Sequence, residues 1–126
     1  MIREPQRPSK LVVYVAGAYR AKNGRTVNEN IQAAKEVAIT IWESGHVALC
    51  PHLNTANFED ASALPDDVYL EGDLLLLTRC DALMLVPGWQ ESEGAVRERS
   101  FAIAYGIPVY EFSDLPILYR KLELSI

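Results

Sequence analysis

Residues 11–17 read Leu11-Val12-Val13-Tyr14-Val15-Ala16-Gly17, and residues 81–88 read Asp81-Ala82-Leu83-Met84-Leu85-Val86-Pro87-Gly88. Each is a short apolar run that stops at a turn residue. A strand with one wet face alternates polar and apolar side chains, whereas a strand covered on both faces does not. The two runs therefore predict inner strands of a parallel sheet. Outward from the first, residues from about Thr26 to Ser44 carry Ile31, Ala34, Val37, Ala38 and Ile41 at helical spacing, with Ser44-Gly45 as the stop. His46 to Cys50, closed by Pro51, predicts another strand, and residues 51–66 a long loop. Asp66 or Asp67 is placed to cap a helix running to about Arg79. Beyond the second run, Ser92 predicts the N-cap of a helix to Tyr105, followed by Gly106 and Pro108. Ile107 to Phe112 then reads as a fourth strand, and the segment from about Asp114 to Leu122 as a terminal helix.

Strands alternating with helices define an α/β domain with a central parallel sheet and helices on both faces. The expected architecture is a single-domain, Rossmann-like or flavodoxin-like three-layer sandwich. It spans residues 11–126, after a polar lead-in at residues 1–10 that holds two prolines. Such sheets bind ligands beyond the carboxyl ends of their strands. Those ends fall at Ala16-Gly17, Cys50-Pro51, Val86-Pro87 and Tyr110-Glu111.

The 126 residues suffice for one domain with a sizeable core. Hydrophobic residues at 49% argue against disorder, and 17 acidic against 12 basic residues argue against a broad surface for duplex nucleic acid. A small anionic ligand needs only a local pocket and stays allowed. Cys50 and Cys80 show neither disulfide nor zinc spacing, which predicts buried thiols and no metal. The leading residues lack a signal-peptide apolar run, and no stretch reaches the ~18 apolar residues of a membrane span. A cytoplasmic protein without a bound cofactor is expected.

Three places offer chemistry. The turn after the first strand begins at Gly17 and brings Arg20, Lys22 and Arg25 within a few residues, suited to a single phosphate or to a solvated loop. It matches neither a dinucleotide fingerprint nor a Walker loop. In Pro87-Gly88-Trp89-Gln90-Glu91-Ser92-Glu93-Gly94, a serine cap with a glycine close behind leaves helix amides open to an anion. Trp89 and Gly94 are unusual in a plain surface connection, and Glu98 lies one turn into the same helix. Third, Asp73 interrupts an otherwise apolar helical stretch. Facing one cleft, Asp73 and Glu98 could divide nucleophile and acid roles. His52, at the end of the second strand, is a site-lining candidate, while His46 and Asp81 start strands and read as structural.

A strand ending in AGAYR, the stretch YLEGDLLLLTRCDALMLVPGW, and S-x-G-x-x-x-E followed by FAIAYGIPV together resemble the nucleoside 2-deoxyribosyltransferase superfamily. The likeness runs from about Leu11 to Tyr110 and is nearest to small uncharacterised bacterial and phage members with a PGWxxSxGxxxE pattern, related to 2′-deoxynucleoside 5′-phosphate N-hydrolase. It implies cleavage of an N-glycosidic bond in a nucleoside or nucleoside 5′-monophosphate, by hydrolysis or by deoxyribosyl transfer between bases. It further implies Glu98 as nucleophile, Asp73 as its assistant at the leaving base, and Tyr19 as the group orienting carboxylate or sugar. Arg20, Ser92 and Gly94 match phosphate-binding positions. A homodimer or higher homo-oligomer is implied as well. The alternative, from another class, is a non-catalytic nucleotide-binding or sensing module on the same fold.

Overall fold

The structure, a computed structural model, describes residues 10–54 and 64–114, apart from the side chains of His52 and Asn54. Among these residues four strands form one parallel sheet: β1 (Val12–Ala16), β2 (Val47–Leu49), β3 (Ala82–Leu85) and β4 (Val109–Glu111). Their spatial order is β2-β1-β3-β4, with Val13 of β1 beside Ala48 on one side and Ala82 on the other. The helices are α1 (Val27–Glu43), α2 (Pro51–Asn54), α3 (Asp66–Thr78) and α4 (Glu93–Tyr105).

The unbroken apolar runs are explained by what covers them. Val13, Val15, Met84 and Val86 face α1, meeting Ala34, Val37, Ala38 and Ile41. The alternate residues Tyr14, Ala16, Leu83 and Leu85 face the other way, onto Leu77 of α3 and Ala102 of α4. Each valine, leucine, isoleucine or methionine side chain buried this fully contributes roughly 1.5–3 kcal/mol. The sheet is thus the middle of three layers, as the sequence predicts.

The helix ends follow local rules. Thr26 caps α1 in a reciprocal box, its Oγ1 accepting from the Glu29 amide at 3.1 Å while Glu29 Oε1 accepts from the Thr26 amide at 3.2 Å. Ser92 caps α4, and Gly106 ends it at a φ of 86°. Three expectations are corrected. The N-cap of α3 is Pro65 with no side-chain cap bond, and Asp66 and Asp67 lie in the first turn, where the helix dipole favours their charge. Pro51–Asn54 is helical where a loop was expected. Phe112, expected in the last strand, begins a short 3-10 turn, Phe112–Asp114. The rest of the expected terminal helix, and residues 1–9 of the lead-in, lie outside the described residues.

Strand order reverses between β1 and β3, because the chain goes first to β2 on one side of β1 and then to β3 on the other. Backbone loops diverge at such a switch point and leave a crevice. Gly17 sits there because there is no room for a side chain. A Cβ at this position would lie 2.6 Å from Val86 Cβ, so the ends of β1 and β3 approach as closely as only glycine permits. Among the described residues no helix is long and apolar enough to cross a membrane.

Candidate functional site

The crevice at the switch point opens into a cleft of about 900 Å³, within the size range of small-molecule sites. One wall is the β1–α1 connection, with Gly17, Tyr19, Arg20, Lys22 and Arg25. α3 contributes Asp66, Tyr69, Leu70 and Asp73. The third wall is the start of α4 and the turn before it, with Glu91, Ser92, Gly94, Arg97 and Glu98.

Glu98 points from the second turn of α4 toward the sheet, where the buried Tyr14 donates its phenolic hydrogen to Oε2. Tyr14 lies on the β1 face turned toward α3 and α4, so the pair joins strand to helix. Burial, then the nearby Glu98 charge, hold the phenol well above its ordinary pKa, so it remains a donor. Burial also pushes Glu98 up to about 7, and the Asp73 charge adds to this, while the Tyr14 hydrogen bond and Arg97 oppose it. Burial raises Asp73 to about 6. Near neutral pH the two carboxyls therefore titrate as a pair that holds roughly one proton. Such a pair can supply a carboxylate and an acid in the same place.

The start of α4 has a different character. Ser92 Oγ accepts the Ala95 amide at 3.1 Å, and the amides of Glu93 and Gly94 before it precede the helical hydrogen-bond pattern. A Cβ on Gly94 would find only Ser92 Oγ, at 3.9 Å, so no protein atom demands a glycine there. The space belongs to the cleft.

The β1–α1 connection is a miniature hairpin. Lys22 and Arg25 exchange both backbone hydrogen bonds at 3.1 Å, and Asn23 and Gly24 both have positive φ, 54° and 79°. This is the Asn-Gly turn whose twist suits two-residue hairpins. Its tip is held by Asn23 Nδ2 donating to Glu91 Oε2 at 2.7 Å and by Lys22 Nζ donating to the Glu91 carbonyl at 3.3 Å. Arg20 donates to Asp66 in an exposed ion pair, an interaction worth only ~0–1 kcal/mol and readily exchanged for another anion.

The structure gathers Gly17, Tyr19, Arg20, Asp73, Ser92, Gly94 and Glu98 around one cleft. Trp89 is placed elsewhere: its indole donates to Glu111 Oε1 at 2.9 Å, and the Arg99 guanidinium lies 5.2 Å from its ring centroid. It packs, partly buried, against the core between the sheet and α4. The His52 side chain lies outside the described residues. Tyr14 donates to the Glu98 carboxylate, a contact the sequence reading did not name, and an aromatic hydroxyl in an aliphatic buried strand is the signal that marks it. His46 Nδ1 accepts the Leu11 amide at 3.2 Å and Asp81 Oδ2 the Val12 amide at 2.8 Å, which are structural roles. Cys80 is buried, with its thiol pushed up to about 11 by burial and then by Asp81, and Cys50 is buried too.

Sheet and cleft define a doubly wound α/β domain with a pair of desolvated carboxylates at its switch point. The model of the family described as a domain of unknown function, DUF4406, matches residues 11–111, and the chain belongs to that family. No curated protein matches it.

Proposed function

We propose that the protein cleaves the N-glycosidic bond of a nucleoside or nucleoside 5′-monophosphate. The observation that carries this reading is the pairing of Glu98 with Asp73 in one cleft, with Tyr14 holding the first carboxylate. The resemblance to nucleoside 2-deoxyribosyltransferases adds the substrate class. In the singly protonated pair, the productive arrangement has Glu98 ionised and Asp73 carrying the proton. Glu98 Oε attacks the anomeric carbon, the carbon–nitrogen bond breaks, and its electron pair leaves with the base as Asp73 delivers the proton. A glycosyl ester on Glu98 results. Water then attacks the same carbon, Asp73 takes a water proton, and the ester bond breaks, releasing sugar and Glu98 carboxylate. A second base in place of water gives transfer.

The 5′ end of the substrate lies toward Ser92, Gly94 and the cations of the hairpin, while Tyr19, Tyr69 and Leu70 offer surface for the base. The protein acts as a soluble cytoplasmic homo-oligomer in this reading. Support for assembly comes from Val68 and Leu75 on α3 and from Val96 and Ile103 on α4, all 39% exposed or more and each pair seven residues apart on one helix face.

The test is a panel of nucleosides, 2′-deoxynucleosides and their 5′-monophosphates, with free base followed by chromatography. Wild type is expected to release base from at least one member, and Glu98→Ala from none. Tight binding of a nucleotide without release from any member would instead make the protein a binding module.

A further inference from the structure

Asn30 is a polar residue on the apolar stripe of α1, 4% exposed, and the mechanism above has no use for it. Its side chain is bonded as donor and as acceptor to the β1–α1 connection. Nδ2 donates to the Tyr19 carbonyl at 3.2 Å and to the Arg20 carbonyl at 3.0 Å, while Oδ1 accepts from Arg25 Nε at 3.0 Å. These three bonds fasten both ends of the segment that holds the hairpin. Between them stand all three cations that the β1–α1 connection presents to the cleft, Arg20, Lys22 and Arg25. Two of those cations are otherwise tied by exchangeable surface contacts to Asp66 and Glu91. The buried anchor is Asn30.

We infer that Asn30 is a positioning residue: by clamping the cationic hairpin from beneath, it sets how well the cleft takes a substrate bearing a phosphate. The inference rests on the proposed N-glycosidase reading for its substrate but on geometry alone for the clamp. Preorganised cations bind an anion without the cost of ordering a loop at the moment of binding. With the clamp removed, that cost returns for a phosphorylated substrate and has little influence on a neutral one. Alanine at position 30 also removes the Asn30 donor from the Tyr19 and Arg20 carbonyls, so the hairpin base is held less firmly.

Two measurements on the full chain test this. In base release, Asn30→Ala is expected to raise KM for a nucleoside 5′-monophosphate about tenfold, the size of a hydrogen bond or two, and KM for the matching nucleoside less than about threefold. Gly24→Ala attacks the same hairpin from its exposed tip, where the positive φ disfavours alanine and no neighbour lies within 4 Å. It should reproduce the selective KM rise with at most a small drop in melting temperature, because the strain sits in an exposed two-residue turn, so a folding defect at Asn30 cannot imitate the result. Equal losses on both substrates in both variants would overturn the inference. Amide hydrogen exchange reads the clamp without any turnover. Asn30→Ala should speed exchange at the Lys22 and Arg25 amides while Val13 and Val15 stay protected, and unchanged exchange at Lys22 and Arg25 would sink the clamp. Absence of base release by wild type would fail the N-glycosidase reading, whereas the exchange result judges the clamp separately.

Discussion

The Tyr14 hydroxyl, on the first strand, donates to the Glu98 carboxylate, 84 residues later in the chain. The bond favours the charged form of Glu98 and so opposes the burial that pushes this acid up. In Tyr14→Phe the opposition is gone and the Glu98 pKa rises further. The proton of the carboxyl pair then spends more time on Glu98 and less on Asp73, which is the unproductive arrangement. Base release is expected to fall by about 10- to 100-fold, the range of a lost charge-assisted hydrogen bond. The alkaline limb of the pH–rate profile should also move to higher pH. A variant with lower activity but an unmoved limb would remove Tyr14 from the titrating unit.

The wild-type profile follows from the same pair. Activity needs one proton on two carboxyls, and their values of about 7 and about 6 bracket a narrow window. A bell-shaped dependence of kcat/KM with its maximum between those values is expected. Asp73→Asn should remove the bell and lower the plateau. A rate that climbs steadily through pH 8 would contradict the shared proton.

Stability and activity pull against each other at Glu98. Its folded-state pKa, about 7, lies above the ordinary carboxylate value of 4.5, and Asp73, about 6, lies above 3.8. Between these values the folded chain binds more protons than the unfolded one. Stability therefore decreases as pH rises from about 4 to about 7 and then levels off as far as these groups decide it. Melting temperatures across that range should show the slope in wild type and a smaller one in Glu98→Gln. At pH 8 the glutamine variant is expected to melt higher than wild type while releasing no base. Equal slopes in both proteins would show that Glu98 is ionised more readily than its burial implies.

How far the sequence carried this is clearest residue by residue. Val13, Val15, Met84 and Val86 on one face and Ala16, Leu83 and Leu85 on the other announce a two-sided sheet because every one of them is apolar, and the packing of α1 on one face and of α3 and α4 on the other is the reason. Ser92 and Gly106 mark their helix ends because capping is local chemistry. The sequence does not single out Tyr14, whose hydroxyl in an apolar run is a faint signal, or Asn30, because a tyrosine in a strand and an asparagine on a helix stripe pass for packing. What distinguishes them is a partner in another element: Glu98 for one, the Tyr19 and Arg20 carbonyls for the other. Trp89 went the opposite way, because its neighbours in sequence line the cleft while its ring turns to Arg99 and Glu111. Only tertiary packing decides such directions.

Gly17 tests how the floor of the cleft is made. An added Cβ would meet Val86 Cβ at 2.6 Å, with the two Cγ atoms at 2.9 and 3.3 Å. Gly17→Ala should cost about 1–3 kcal/mol in denaturant unfolding, as overpacked cores do. Val86→Ala removes the Cγ atoms but keeps the closest contact, so it should not rescue the variant. Rescue by Val86→Ala would mean that the strand ends give way more easily than their spacing suggests.

Gly94 makes the opposite case, a glycine that the fold does not require. Its Cβ would meet nothing nearer than Ser92 Oγ at 3.9 Å, and it stands in the first turn of α4, where alanine is the better helix former. Gly94→Ala is therefore expected to stabilise the chain by up to about 1 kcal/mol in denaturant unfolding. The added methyl occupies cleft volume beside the open helix amides, so calorimetric affinity for a nucleoside 5′-monophosphate should drop about tenfold or more, as overfilling a tight contact does. Affinity for the unphosphorylated nucleoside should change less. A variant that is both more stable and equally tight for the monophosphate would move the phosphate away from α4 and leave the hairpin cations as its only anchor.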